Sequence, residues 1–157
     1  MFTIENNIKI IEELKLNNKK IVLTNGCFDI LHRGHVEYLK QSSKQGDYLF
    51  VGINSDKSIK QLKGDKRPIN KELDRAYLIS ELKCVCGVFI FDELNFSNCL
   101  GLLKPSYWTK GEDYNWNNIH QSERNVCIKN NINIKFLPYI VNGLYSTTSI
   151  INIINNI

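Results

Sequence analysis

The stretch "KIVLTNGCFDILHRGHVEYLKQSSKQGDYLFVGI", residues 20–53, decides the fold. Two short apolar runs, 20–24 and 47–53, are rich in β-formers and bounded by turn residues, while "HVEYLKQSSKQ" between them has helical length and stops at Gly46. Strand, helix and strand in that order form one β-α-β unit, whose two strands must run parallel. The first strand-to-helix turn holds two histidines, His32 and His35, on either side of Gly34, with Gly26 just upstream. In such sheets this turn faces ligands, and phosphate groups bind where a helix N-terminus meets it.

Outward from this unit the alternation continues. Further strands are expected at 84–91, 107–110 and 132–137, and helices near 71–82, 94–103 and 116–130. Ile4, Ile8, Ile11 and Leu14 set a helical apolar stripe over 3–17, read as a packing element. At the other end Ile150, Ile151, Ile154 and Ile157 do the same behind the caps of "YSTT". The expected class is α/β: a single-domain, Rossmann-like, doubly wound parallel sheet over 1–157. The stretch 60–70, "KQLKGDKRPIN", reads as an exposed cationic loop.

Composition narrows the function classes. Hydrophobic residues make up 43% and charged residues 23% of 157, and no apolar run approaches a membrane span. The N-terminal twenty residues lack the pattern of a secretory leader. Five cysteines, Cys27, Cys84, Cys86, Cys99 and Cys127, are an odd number with no CxxC pair, which disfavours a disulfide framework and a zinc site. A cytoplasmic protein with reduced thiols is expected. The net charge of +4 is mild and dispersed, unlike the dense footprint of a nucleic-acid binder.

Beyond the opening unit, the blocks "TNGCFDILHRGH", "GDYLFVGINSDKSIKQLKGDKRPIN", "DRAYLISEL", "KPSYWTKGEDY" and "GLYSTTSIINII" resemble, in order and spacing, the small cytidylyltransferase-like nucleotidyltransferases with their HxGH signature. Among these they are most similar to the adenylyltransferases acting on heptose 1-phosphate. The resemblance covers about residues 19–157. It implies transfer of AMP from ATP to a sugar 1-phosphate, with Mg2+ accompanying the triphosphate, pyrophosphate released and no covalent intermediate. It also implies a catalytic set of His32, His35, Lys63 and Arg75. Nucleotide contacts would fall to Asn25, Gly26, Cys27, Phe28, Gly34, Lys110, Gly111, Asp113, Tyr114, Ser146, Thr147 and Thr148, and substrate contacts to Asp29 and Arg67. No protein-bound metal site is implied.

Two departures bear on the substrate. Glu112 stands where the heptose enzymes usually carry a second glycine, and the stretch "LPYIVNGLYSTT" lacks the arginine that glycerol-3-phosphate cytidylyltransferases usually carry several residues before the "STT" block. The second tilts the reading from CTP and an alcohol phosphate towards ATP and a heptose. Alternatives are a cytidylyltransferase, or a nucleotide-binding module without turnover. Expected partners are ATP or CTP and a phosphorylated sugar, a possible second copy of the chain, and a separate upstream sugar kinase, since 157 residues leave no room for one; neither nucleic acid nor membrane is expected.

Overall fold

The computed structural model describes residues 2–139 and 147–156. Five parallel strands lie in the order β3-β2-β1-β4-β5: β1 Ile21–Gly26, β2 Tyr48–Asn54, β3 Gly87–Phe91, β4 Tyr107–Gly111 and β5 Asn133–Leu137. Helix α1 (Ile4–Leu16) precedes the sheet, followed by α2 (Arg33–Ser43), α3 (Asp56–Lys63), α4 (Glu72–Ser80), α5 (Ser97–Leu103), α6 (Gln121–Lys129) and α7 (Thr147–Asn155). This is the doubly wound α/β class expected.

Both sheet faces are covered, which explains strands that read as continuous apolar runs rather than alternating ones. On one face Ile11 of α1, Leu100 and Leu103 of α5 and Cys127 of α6 pack with Phe50, Phe89, Phe96 and Trp108. On the other, Leu39 of α2 and Ala76 and Ile79 of α4 pack with Val22, Leu49, Val51 and Val88. The α1 stripe is buried against the first cluster as a packing element, with Ile4, Ile8 and Leu14 at its margin. Among the described residues no helix is long and apolar enough to cross a membrane.

The structure corrects the sequence reading at several boundaries. Residues 56–63, unassigned or placed in a loop, form α3, capped by the Ser55 Oγ accepting from the Ser58 amide at 3.2 Å. Only Ser58 and Ile59 of that helix are buried, so its apolar stripe is too thin to register as a period. Strand β3 starts at Gly87 rather than residue 84, where the backbone passes so close that a Cβ would meet Asn7 Oδ1 at 2.3 Å and the Phe50 ring at 2.7 Å. Helices expected from 94 and 116 begin at Ser97 and Gln121; His120 caps the latter in a reciprocal box with Glu123.

The chain reverses its direction of winding between β1 and β4. From β1 it moves one way through β2 to β3, and from β4 the other way to β5. At such a reversal the loops leaving the two strands diverge and open a crevice beyond their carboxyl ends.

Candidate active site

A cavity of about 1070 Å³ occupies that crevice. It is large enough for a nucleotide together with a second small substrate. One wall is the turn leaving β1: Asn25, Gly26, Cys27 and Phe28, then His32, Gly34 and His35 at the start of α2. Asn25 is fixed by the Trp108 indole, which donates to its Oδ1 at 3.1 Å. His32 occupies the N-cap position of α2 but makes no side-chain cap bond, leaving its ring free to stack on His35. The two ring centroids are 3.7 Å apart and inclined by 22°.

The Nδ1 atoms of both histidines are buried without a hydrogen-bond partner. Burial first, then His32 and Lys63, push the His35 imidazole down to about 3, and burial lowers His32 as well. Near neutral pH the pair is uncharged, so each ring offers one N–H donor and one acceptor. Buried polar atoms left unsatisfied are costly, and at a site they indicate a partner that arrives with a ligand.

The opposite wall comes from the end of β4. Lys110 is buried with its Nζ 3.9 Å from the centre of the Tyr114 ring and 5.3 Å from that of Trp108. Burial lowers the pKa of this ammonium, while Glu123 and Asp113 act to raise it. Gly111 follows, and its missing side chain is required: a Cβ there would meet Tyr139 Oη at 2.3 Å and Asp113 Oδ1 at 2.7 Å. Tyr139 donates to Asp113 Oδ1 at 2.5 Å across the rim. Lys63, at the end of α3, and Thr147 and Thr148, in the first turn of α7, complete the enclosure. Ser146 lies outside the described residues.

Among the described residues no group of three or more His, Cys, Asp or Glu side chains is arranged to hold a metal ion.

The cytidylyltransferase-like family profile matches residues 23–153, which hold most of β1, all of β2 to β5 and the cavity walls. The chain belongs to the cytidylyltransferase-like family. Its relatives include the bifunctional protein HldE of Helicobacter pylori, 54% identical over 106 residues that cover 68% of this chain and 23% of that protein. HldE of a Nitratiruptor species is 50% identical over 117 residues, 70% of this chain and 25% of that protein. The matches thus span about a quarter of the length of these relatives. Among solved structures, a lipopolysaccharide core biosynthesis protein from Thermoplasma volcanium superposes with a TM-score of 0.63 at 34% identity, covering 77% of this chain and 96% of that one.

In this member of the cytidylyltransferase-like family, three of the residues expected to touch phosphate or substrate are set elsewhere. Arg75, expected to reach phosphates, is 1% exposed and does not line the cavity. Its Nε donates to the Asn70 carbonyl at 3.0 Å, Nη1 to that of Cys27 at 2.5 Å, and Nη2 to that of Asn54 at 2.8 Å and to Asp56 Oδ1 at 3.0 Å. Asp29, expected to contact substrate, is buried and accepts from Arg67 Nε at 2.5 Å and from the Ile69 and Asn70 amides at 2.8 and 2.9 Å. Arg67 is thereby turned onto Asp29, and neither residue lines the cavity. Arg75 and Asp29 satisfy backbone groups of neighbouring segments, whereas Arg67 pairs with the Asp29 carboxylate and keeps its Nη2 buried without a partner among the described residues.

Other wall residues escaped the sequence reading. Tyr38 lies one turn beyond His35 on the same helix face, a spacing that could have revealed it. Asn54 ends β2, beside the crevice, where strand carboxyl ends point to ligands. Glu123 is buried and accepts from the Phe96 amide at 2.8 Å and that of His120 at 3.2 Å; nothing local distinguishes it from a helix-start carboxylate.

Proposed function

We propose that the protein is a nucleotidyltransferase that moves AMP from ATP to a sugar 1-phosphate, with heptose 1-phosphate as the acceptor, yielding ADP-heptose and pyrophosphate. The observation that carries the reading is the stacked His32–His35 pair, with orphaned Nδ1 atoms, at the β1–β4 crevice. An anionic ligand is what two uncharged imidazoles, a buried lysine and a helix start have in common as a partner.

The chemistry asks little of the protein beyond alignment and charge. A phosphate oxygen of the acceptor forms a bond to the α-phosphorus while the bond to the α–β bridging oxygen breaks, and pyrophosphate leaves in line with the attack. His32 and His35 donate N–H groups to the α- and β-phosphate oxygens, where negative charge accumulates. Lys63 adds a cation at the mouth, and the α7 start with Thr147 and Thr148 receives the outer phosphates. Lys110, Gly111, Asp113 and Tyr114 form the end suited to ribose and base, with Tyr114 offering a flat ring for stacking. Mg2+ enters as part of the metal–nucleotide substrate.

The acceptor assignment is supported by the block-wise resemblance to heptose enzymes, by 50–54% identity to HldE proteins, and by the likeness to a lipopolysaccharide core biosynthesis protein. The test is pyrophosphate release from ATP, CTP, GTP and UTP against a panel of sugar 1-phosphates and alcohol phosphates. Release with ATP and a heptose 1-phosphate alone is the expected result. Release with CTP and a different phosphate would keep the mechanism and replace the substrate. Nucleotide binding without turnover across the panel would leave a binding module.

A further inference from the structure

The turn between β1 and α2 contains a residue whose backbone is out of place for its side chain. Phe28 has φ +46, in the left-handed region that residues with a Cβ enter only at a cost in free energy. Such a conformation persists where the surroundings over-determine it, and it gathers at functional sites. We propose that Phe28, held in this conformation by a buried clamp of Arg75 and Asp29, is a positioning residue that sets the orientation of the His35 imidazole. The inference rests on the phosphate-binding reading of that imidazole and gives it a mechanical cause.

Three observations carry it. First, the clamp grips both neighbours of Phe28. Arg75 Nη1 donates to the Cys27 carbonyl at 2.5 Å, and the Asp29 carboxylate accepts from two loop amides and from Arg67. The Asp29 carbonyl also accepts from Asn70 Nδ2 at 2.5 Å, so Asp29 is held at main chain and side chain alike. With residues 27 and 29 both tethered, the peptide units around Phe28 have little freedom to relax to an extended form.

Second, the clamp cannot serve phosphate as it stands. Every guanidinium nitrogen of Arg75 already donates to a protein oxygen. Third, the Phe28 ring goes where it matters. It is 6% exposed and meets the His35 ring edge-on, with centroids 5.2 Å apart at 64°. Gly26 makes room for it, since a Cβ there would stand 3.0 Å from Phe28 Cε2. His35 is therefore held between the stacked His32 ring and the edge of Phe28. His32, at the N-cap of α2, and Lys63, at the end of α3, are the titratable groups that act on it.

The experiment is an NMR titration of the His35 imidazole in the ligand-free protein, paired with steady-state kinetics, on wild type, Phe28→Leu, Phe28→Tyr and Arg75→Lys. In Phe28→Leu, loss of the ring edge should let water reach the imidazole and raise its titration by about one pH unit or more. Phe28→Tyr keeps the edge and should restore the wild-type titration. Arg75→Lys touches neither ring, retains the charge and loses the fork, so it should move the same resonance. In Phe28→Leu and Arg75→Lys, kcat should fall roughly tenfold or more with the nucleotide KM within about threefold, as for a misplaced catalytic group.

A folded Phe28→Leu protein with wild-type His35 titration and wild-type kcat would overturn the proposal. So would a KM rise matching the kcat loss, which would make Phe28 a binding residue. The titration needs no turnover, so an absence of pyrophosphate release in the wild type would sink the transferase reading and leave the positioning arm to be decided by NMR alone. If Phe28→Leu fails to fold, Arg75→Lys with an unmoved His35 resonance overturns the clamp.

Discussion

At the scale of single residues, the neutral histidine pair makes two distinguishable demands. His35→Ala should lower turnover by about 10²-fold or more and change nucleotide affinity far less, because the donor acts where charge develops; kcat and an independently measured Kd check this. The second demand concerns stability. The folded imidazole is held down to about 3 and its unfolded counterpart titrates near 6.5, so as pH falls below about 6.5 the unfolded chain binds a proton that the native state refuses. Stability is therefore full above that pH and declines towards about 3, by on the order of a few kcal/mol at most. In His35→Gln, urea denaturation at pH 7 and pH 5 should differ less than in wild type. The place of the histidines at the crevice was legible because the turn that holds them follows the first strand of a β-α-β unit. The settings of Arg75, Asp29 and Arg67 were not, because residue type announces a charge, whereas the partners lie elsewhere in the chain: the Cys27, Asn54 and Asn70 carbonyls accept from Arg75, and the Asn70 amide and Arg67 donate to Asp29.

At the scale of elements, helix α2 is tied to the middle of the sheet by a buried hydroxyl network. Tyr38 Oη lies 2.8 Å from Thr24 Oγ1 on β1 and donates to Thr109 Oγ1 on β4 at 3.3 Å, while Thr109 Oγ1 donates to Ser42 Oγ at 2.9 Å. Tyr38→Phe should cost about 1–2 kcal/mol in chemical denaturation, the usual loss for one buried hydrogen-bonded hydroxyl. Gly111→Ala tests the end of β4: the added methyl displaces Tyr139 or Asp113, so nucleotide affinity should drop several-fold, measured by calorimetry, with a smaller effect on the melting temperature. The succession of strands and helices along the chain was readable because apolar period and turn chemistry are local properties. Helix α3 and the true start of β3 were hidden, the first by its thin stripe and the second because Gly87 is selected by contacts with Asn7 and Phe50 far along the chain.

At the scale of the whole molecule, the first of the two cores is organised by Phe96, which packs against Phe89, Phe91 and Trp108 at centroid distances of 6.0, 5.0 and 6.4 Å. Phe96→Ala should remove about 3–5 kcal/mol, seen as a lowered denaturation midpoint. The same ring backs β2 at Gly52, where a Cβ would meet it at 2.5 Å, so glycine at 52 and phenylalanine at 96 fit as a pair.

The reversal of winding between β1 and β4 also ties binding to assembly. Thr24 and Thr109, paired in adjacent strands, are 85 positions apart in the chain, so the crevice exists only after two widely separated segments of the sheet have met. Loop-closure entropy makes such pairings late and slow to form. No half-built chain can present both walls, and a nucleotide therefore distinguishes finished molecules from unfinished ones. By mass action, ligand at a hundred times its Kd deepens the native well by about 2.7 kcal/mol without offering a foothold to intermediates. The triphosphate of the proposed reaction would act on this protein as a quality check, holding completed sheets out of reach of proteolysis while leaving partial ones exposed.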